Sequence, residues 1–451
     1  MKHRSSERDM LHGPLAGKLL RFTLPIALSS IVQQLFNAAD TAVVGSFGSA
    51  DALAAVGTNT ELIALIVTVS TGLSIGANVL IDNQIGRQET SRTPGTVQRA
   101  IWLSALIGVL GLLLGQIAAA PLLRLIRTPE RIFRAAALYL RLYVLGYPFL
   151  LLYDFGSAIL RARGDSRYPF LTLVLSGAVN VGLNLFFVIV CRLGVAGVAI
   201  ATDLSTLLSA LLVLRRLKKD NLFRLTLRRP QRAAKAVGEI LRTGVPSAVQ
   251  GAVFCFANIF VQASVNRFGE TAIAGSTIAM NFEYLTYYII TAFGQTATTF
   301  TSQNHAAGQP DRCRRILWLC LDLSVVCSAV PIFTIVRFRS FFSGLFTPDA
   351  AVIGAAGVRI LCILLYEPVC DLYEIPAGVL RGSGHALYPA FSTMAGTCAF
   401  RIVWICTVFR AAPTLPTLYR AFPLSWGLTI VLVGFGFLCI RPFGRKNRTA
   451  E

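Results

Sequence analysis

The sequence predicts an all-α polytopic membrane protein, with twelve transmembrane helices in two six-helix bundles related by a parallel internal repeat. Three observations carry that prediction. Of 451 residues, 54% are hydrophobic and only 14% charged, against about 25% charged in an average soluble chain. Twelve apolar segments recur along the chain, each near the roughly 20 residues that a bilayer core demands. The two halves of the chain also repeat each other at a nearly constant offset. A mean hydropathy of +0.63 excludes disorder, coiled coils and disulfide scaffolds.

The predicted spans fall near residues 20–45, 54–81, 97–120, 135–155, 169–190, 195–214, 237–262, 272–300, 315–336, 352–376, 388–410 and 419–440. The polar, basic start up to Leu20 has no small-residue cleavage site, so it reads as a cytoplasmic tail before an uncleaved first span. Basic residues fix the orientation. With both termini inside, 27 of the 42 Lys and Arg fall to cytoplasmic segments and 10 to the opposite side, as the positive-inside bias requires. The four arginines at 124, 127, 131 and 134 are a local exception. The net charge of +20 is thus largely topological. Its densest stretch, Arg215 to Lys235, suits anionic headgroups and leaves no need for nucleic acid. The ten cysteines contain no CxxC pair and read as small apolar side chains.

The repeat divides the chain. Leu20-Arg21 and Pro25 match Leu241-Arg242 and Pro246 at an offset of 221, which also pairs Asn37 with Asn258. After a one-residue shift, Leu160-Arg161, Gly164 and Tyr168-Pro169 match Leu380-Arg381, Gly384 and Tyr388-Pro389. An even number of spans per copy makes the repeat parallel, an arrangement common among transporters. The expected organisation is a cytoplasmic tail over 1–16 and an N-terminal lobe over 17–214. A basic cytoplasmic linker over 215–235, a C-terminal lobe over 236–441 and a cytoplasmic tail over 442–451 complete it. Pro25 and Pro246, matched in the first helix of each half, are candidate helix-bending positions because proline removes a backbone hydrogen bond.

Carboxylates inside spans cost about 2.5–3.5 kcal/mol at a helix centre, so they face cavities or partners. Asp40, Asp154, Asp203, Glu283, Asp322, Glu367, Asp371 and Glu374 are among the acids in predicted spans. Gln33, Asn37 and Asp40 stand at i, i+4 and i+7, on one helix face. Asp40 then either pairs with a cation at the outer helix end or serves as a titratable cavity carboxylate. Asn180 and Asn184 form a second polar stripe, either interhelical glue or part of the same site. Glu367, Asp371 and Glu374 share a third stripe, which requires a proton, an ion, a cationic substrate or an arginine such as Arg359 or Arg381 to offset their repulsion. Asp203, Glu283 and Asp322 stand isolated. No nucleophile–base pair and no phosphate-binding GxxxxGK[ST] loop is present, which argues against an enzyme and against an ATP-driven pump.

Several of these segments resemble the multidrug and toxic compound extrusion (MATE) family of bacterial transporters. The carriers are Pro25-Ile-Ala, Phe36-Asn-Ala-Ala-Asp40-Thr-Ala-Val-Val-Gly45, and the twin stretches Leu160 to Pro169 and Leu380 to Pro389, in a resemblance running from about Gly17 to Pro442. It implies two six-helix lobes that export organic cations and other amphiphiles by exchange for protons or sodium ions, with an acid at the Asp40 position binding the coupling ion. Family members of that type often carry Asn and Asp in span five, where this chain has Asn180 and Asn184.

The expected function is therefore secondary active efflux of organic, cationic amphiphiles by proton or sodium antiport, with alternating access between two lobes. Asp40, Asn37, Asn180 and Asn184 are expected at the coupling site, and sodium near Asp40 is the one metal ion envisaged. Glu367, Asp371, Glu374 and Gln33 are expected to supply substrate contacts or C-lobe charge. No cofactor, nucleic acid or obligate protein partner is expected; the partners are the lipid bilayer and a small-molecule substrate, and the location is the plasma membrane. A flippase for a lipid-linked or anionic precursor is the alternative, and it would place arginines such as Arg21, Arg141, Arg242, Arg359 and Arg401 in the cavity.

Overall fold

A computed structural model describes residues 9–47, 50–89, 91–126, 128–220 and 234–443. Residues 1–8 of the expected N-terminal tail, 221–233 of the basic linker and 444–451 of the C-terminal tail lie outside the described residues. The described residues are helical and include no strand. That is the outcome a lipid solvent enforces, since a helix satisfies its own backbone groups.

Every predicted span finds its helix. The first three are α1 (Ala16–Phe47), α2 (Ala50–Gly86) and α3 (Thr93–Leu125). The fourth is broken into α4 (Glu130–Leu145) and α5 (Tyr147–Ala162), bent by 44° at Gly146. The fifth, α6 (Arg167–Leu185), runs into a π-helical turn over Phe186–Val190, and α7 (Val195–Lys218) is the sixth. The second half begins with α8 (Ala234–Val265), α9 (Glu270–Ala306) and α10 (Pro310–Arg337), followed by the short α11 (Arg339–Gly344). The tenth span is α12 (Ala350–Cys362), a 3₁₀ segment over Leu364–Cys370, and α13 (Asp371–Gly382). The eleventh is α14 (Leu387–Thr393), a π-helical turn over Met394–Ala399, and α15 (Phe400–Cys406); α16 (Val408–Ala411) leads to the last span, α17 (Leu415–Ile440). Ten described helices, with the bent pair an eleventh, are long and apolar enough to cross a membrane. The remaining predicted span lies on α9, where Asn281, Glu283 and Gln295 lower the hydropathy of residues 272–300.

The matched glycines of the repeat have a backbone reason. Gly164 and Gly384 adopt left-handed φ values of 82° and 92°, where a side chain would be strained. Each closes a helix in the same manner. Asp165 N–H donates to Leu160 carbonyl and His385 N–H to Leu380 carbonyl, both at 2.9 Å, the bond that satisfies orphan carbonyls past a glycine terminus. The similarity of the two halves therefore extends to hydrogen-bond geometry.

The chain forms two compact units, one of Leu28–Ala248 and one of Asp9–Ala27 with Val249–Glu451. α1 and α8 each contribute to both. In each, the change of unit comes three residues after the matched proline, Pro25 before Leu28 and Pro246 before Val249. The first unit buries Ile81, Val97, Leu151, Phe155, Val213 and Ile240 in one core cluster and Val44, Ala55, Leu123, Tyr139 and Val198 in another. The second buries Leu19, Phe22, Phe293, Phe300 and Ile316 in one cluster and Val261, Ile290, Tyr373, Phe409 and Leu418 in another.

Candidate functional site

In the first unit, Phe36 and Gly177 set the register of α1 against α6. A Cβ at Gly177 would fall 1.7 Å from the Phe36 ring, so only glycine admits that ring. One turn further along each helix, the polar side chains meet. Asn184 Nδ2 donates to Asp40 Oδ1 at 2.5 Å and to Asn180 Oδ1 at 3.2 Å. Thr202 of α7 donates to Asp40 Oδ2 at 3.4 Å, and Asn180 Nδ2 reaches Thr202 Oγ1 at 3.4 Å. All of these side chains but Thr202 are buried. Asn184 Oδ1 is buried without a hydrogen-bond partner.

The cluster thus presents the Asp40 carboxylate, a free amide oxygen and a hydroxyl. Oxygen-only ligands suit a hard cation, and a buried acceptor without a partner can take one more donor or ion. The ligands would be Asp40, Asn184 and Thr202. Among the described residues no three His, Cys, Asp or Glu side chains gather as a metal-ligand set. Of the predicted α1 stripe, Asn37 is exposed and Gln33 half-buried. Asp40 takes its bonds from α6 and α7 rather than from its own helix. Asp203, next to Thr202, lies against Gly146 at the break in the fourth span.

The second unit holds a cavity of about 660 Å³, counted to its open mouth, lined by aromatic side chains and four charged ones: Glu283, Arg359, Glu367 and Arg401. Arg359 and Glu283 form a two-pronged ion pair, Nε–Oε1 at 2.7 Å and Nη2–Oε2 at 2.8 Å, while Arg359 Nη1 donates to Ser276 at 2.6 Å. Glu367 accepts from the Thr286 hydroxyl. Arg401 lies 3.9 Å over the Phe422 ring and donates its Nε to Ser425 at 3.1 Å. Its Nη1 is buried with no hydrogen-bond partner.

The three acids predicted to share one face in the tenth span go to three different partners. Glu367 faces the cavity, Asp371 accepts from Ser324 at 2.5 Å and Ser328 at 3.2 Å, and Glu374 pairs with Arg381 at 2.6 Å. The 3₁₀ segment carrying Glu367 and Pro368 turns about 120° per residue and breaks the α-helical spacing behind that expectation. Thr202, Ser276 and Ser425 escape sequence reasoning because hydroxyls on membrane helices are common and carry no spacing signal. The Glu283–Arg359 pair escapes it because 76 residues separate the partners.

The two sites occupy equivalent places in the repeat. Ser209 bonds Ser176 at 2.6 Å, and Thr429 bonds Thr397 at 2.9 Å. Tyr168 bonds the Leu212 carbonyl at 3.2 Å, and Tyr388 the Leu432 carbonyl at 2.8 Å. The offset is 220 at the tyrosines and 221 at Ser176 and Thr397, because the π-helical turn over Met394–Ala399 adds one residue. At an offset of 221 Arg401 stands where Asn180 stands and Val261 where Asp40 stands, and at the offset of 220 that Ser209 and Thr429 set for the last helix Phe422 stands where Thr202 stands.

Comparison with known proteins agrees with this duplication. The MatE family model matches twice, over residues 25–186 and 246–406. The probable multidrug resistance protein YoeA of Bacillus subtilis is 28% identical over 377 residues, covering 82% of this chain and 81% of its own. The probable multidrug resistance protein NorM of Thermotoga maritima is 26% identical over 388 residues, covering 83% of this chain and 82% of its own. A FAD transporter of Shewanella oneidensis is 24% identical over 355 residues, covering 76% of this chain and 77% of its own. Among solved structures, a MOP superfamily transporter from Pyrococcus furiosus superposes with a TM-score of 0.89 at 22% identity, over 97% of this chain and 98% of that one. An outward-facing multidrug resistance MATE family transporter gives 0.87 at 21% identity, over 96% and 98%. These two likenesses establish the fold.

Proposed function

Because the chain belongs to the MatE family of multidrug efflux transporters, a multi-pass membrane fold, we propose that it exports organic cations in exchange for protons or sodium ions. The observation that carries this reading is the buried Asp40 carboxylate, held by Asn184 and Thr202 beside the unpartnered Asn184 Oδ1. A carboxylate in that setting is costly when bare and needs a counter-cation. A proton, a sodium ion or a cationic substrate each meets the need, and they exclude one another. Alternating access then follows from population shift. The neutralised and the bare site favour different conformers, and each cation moves the equilibrium only by its differential affinity for them. The charge distribution of the loops supports a plasma-membrane location with both termini cytoplasmic, and the multidrug names of the relatives support efflux over catalysis.

The test is competition at equilibrium. Tetraphenylphosphonium added to the purified protein in weak buffer is expected to release protons, or to displace radioactive sodium, in proportion to the cation bound. The Asp40→Asn protein should bind tetraphenylphosphonium more weakly and without either release. Release that persists in Asp40→Asn would refute the assignment.

A further inference from the structure

We propose that the cavity of the second unit binds an aromatic carboxylate, with the Arg401 guanidinium as its counter-ion. The argument begins with what each lining charge already has. Arg359 spends its donors on Glu283 and Ser276, and Glu367 accepts from Thr286. Arg401 alone among these four lining side chains ends in a buried donor with no acceptor. It is 1% exposed and makes no ion pair among the described residues, and a buried cation without one is unfavourable unless a ligand supplies it.

The stacking on Phe422 does not remove that need. An aromatic ring attracts the flat face of a guanidinium, whereas the N–H groups point outward in its plane and require acceptors there. Phe422, at 3.9 Å, covers the face; Ser425 takes Nε. What stays unpartnered is the edge donor Nη1, and a carboxylate oxygen in the guanidinium plane is its natural complement. The remaining walls fit the body of such a ligand. Phe254 and Tyr287 are nearly parallel, at 5° with centroids 6.4 Å apart, and Tyr373 and Trp426 complete an aromatic lining.

The repeat adds an independent reason. Arg401 occupies the place of Asn180, and Val261 and Phe422 the places of Asp40 and Thr202. The C-terminal copy thus carries a valine in the place of the acid and, in the place of an amide, an arginine set among aromatic rings and Ser425. The inference goes beyond the coupling role of Asp40 and does not depend on it.

The experiment uses the full chain in lipid nanodiscs and two probes of one shape, pyrenebutyrate and its neutral analogue pyrenebutanol. Binding is read as energy transfer from Trp426 to pyrene, taken as the part of the signal that Trp426→Phe removes. The expected result is at least about tenfold tighter binding of the carboxylate, the worth of one charge-assisted hydrogen bond. Arg401→Gln should abolish that preference and Arg401→Lys retain part of it. Equal affinity for the two probes in the unmodified protein would overturn the proposal, whether or not the variants fold. So would a preference that survives Arg401→Gln, or one with no Trp426-dependent signal.

Discussion

Asp40 and Val261 occupy matched positions of the duplicated chain, and so do Asn180 and Arg401. In one unit the position holds a carboxylate with amide and hydroxyl donors. In the other the acid's place holds a valine, and the amide's place holds a guanidinium between aromatic rings beside a second, fully paired arginine. The frame is shared: twin glycine termini, twin tyrosine-to-carbonyl bonds and twin hydroxyl pairs recur with near-equal distances. Duplication has therefore preserved what orders the helices and changed what fills the polar site. Function resides in the site, not in the fold that carries it.

Four substitutions would break or sharpen this comparison, from the largest expected effect to the smallest. Glu283→Gln strands Arg359 in the second unit, and breaking a buried ion pair costs about 3–5 kcal/mol. Thermal unfolding in detergent should show that loss, and Glu283→Met combined with Arg359→Met should recover most of it. Asn184→Ala removes both the donor to Asp40 and the free amide oxygen from the first unit. A bound sodium ion would lose the Asn184 Oδ1 ligand, a contact to a charged group worth about 1.5–3 kcal/mol, so equilibrium sodium binding should weaken roughly tenfold or more. Gly177→Ala forces the Phe36 ring off α6, an overpacking worth about 1–3 kcal/mol; the unfolding temperature should fall, and cation affinity with it. Thr202→Val deletes a long 3.4 Å contact to Asp40. Isothermal titration should register less than about 1 kcal/mol.

The sequence makes some of this visible and hides the rest for identifiable reasons. The spans, the repeat and the Asp40, Asn180 and Asn184 positions are legible because each depends on local spacing or on the high cost of polarity in lipid. Asn180 and Asn184 are one helical turn apart, and the structure does bring them to Asp40, 144 residues away from Asn184. The Glu283–Arg359 pair depends on tertiary packing of α9 against α12, which no spacing rule reports. Arg401 is hidden more deeply. The one-residue shift of the π-helical turn over Met394–Ala399 places Phe400, not Arg401, opposite Asn180 in any ungapped reading at the 220 offset. The break at Gly146 within the fourth span is likewise invisible in a hydropathy profile, because both halves of the bend are apolar.

Transport itself is the most direct test of the central claim that Asp40 couples cation export to an ion gradient. The protein reconstituted in vesicles is given a cationic dye and an imposed proton gradient, then an imposed sodium gradient. The account predicts uphill dye movement under one gradient in the unmodified protein and none above background in Asp40→Asn. Gradient-driven export at the unmodified rate by Asp40→Asn would contradict it.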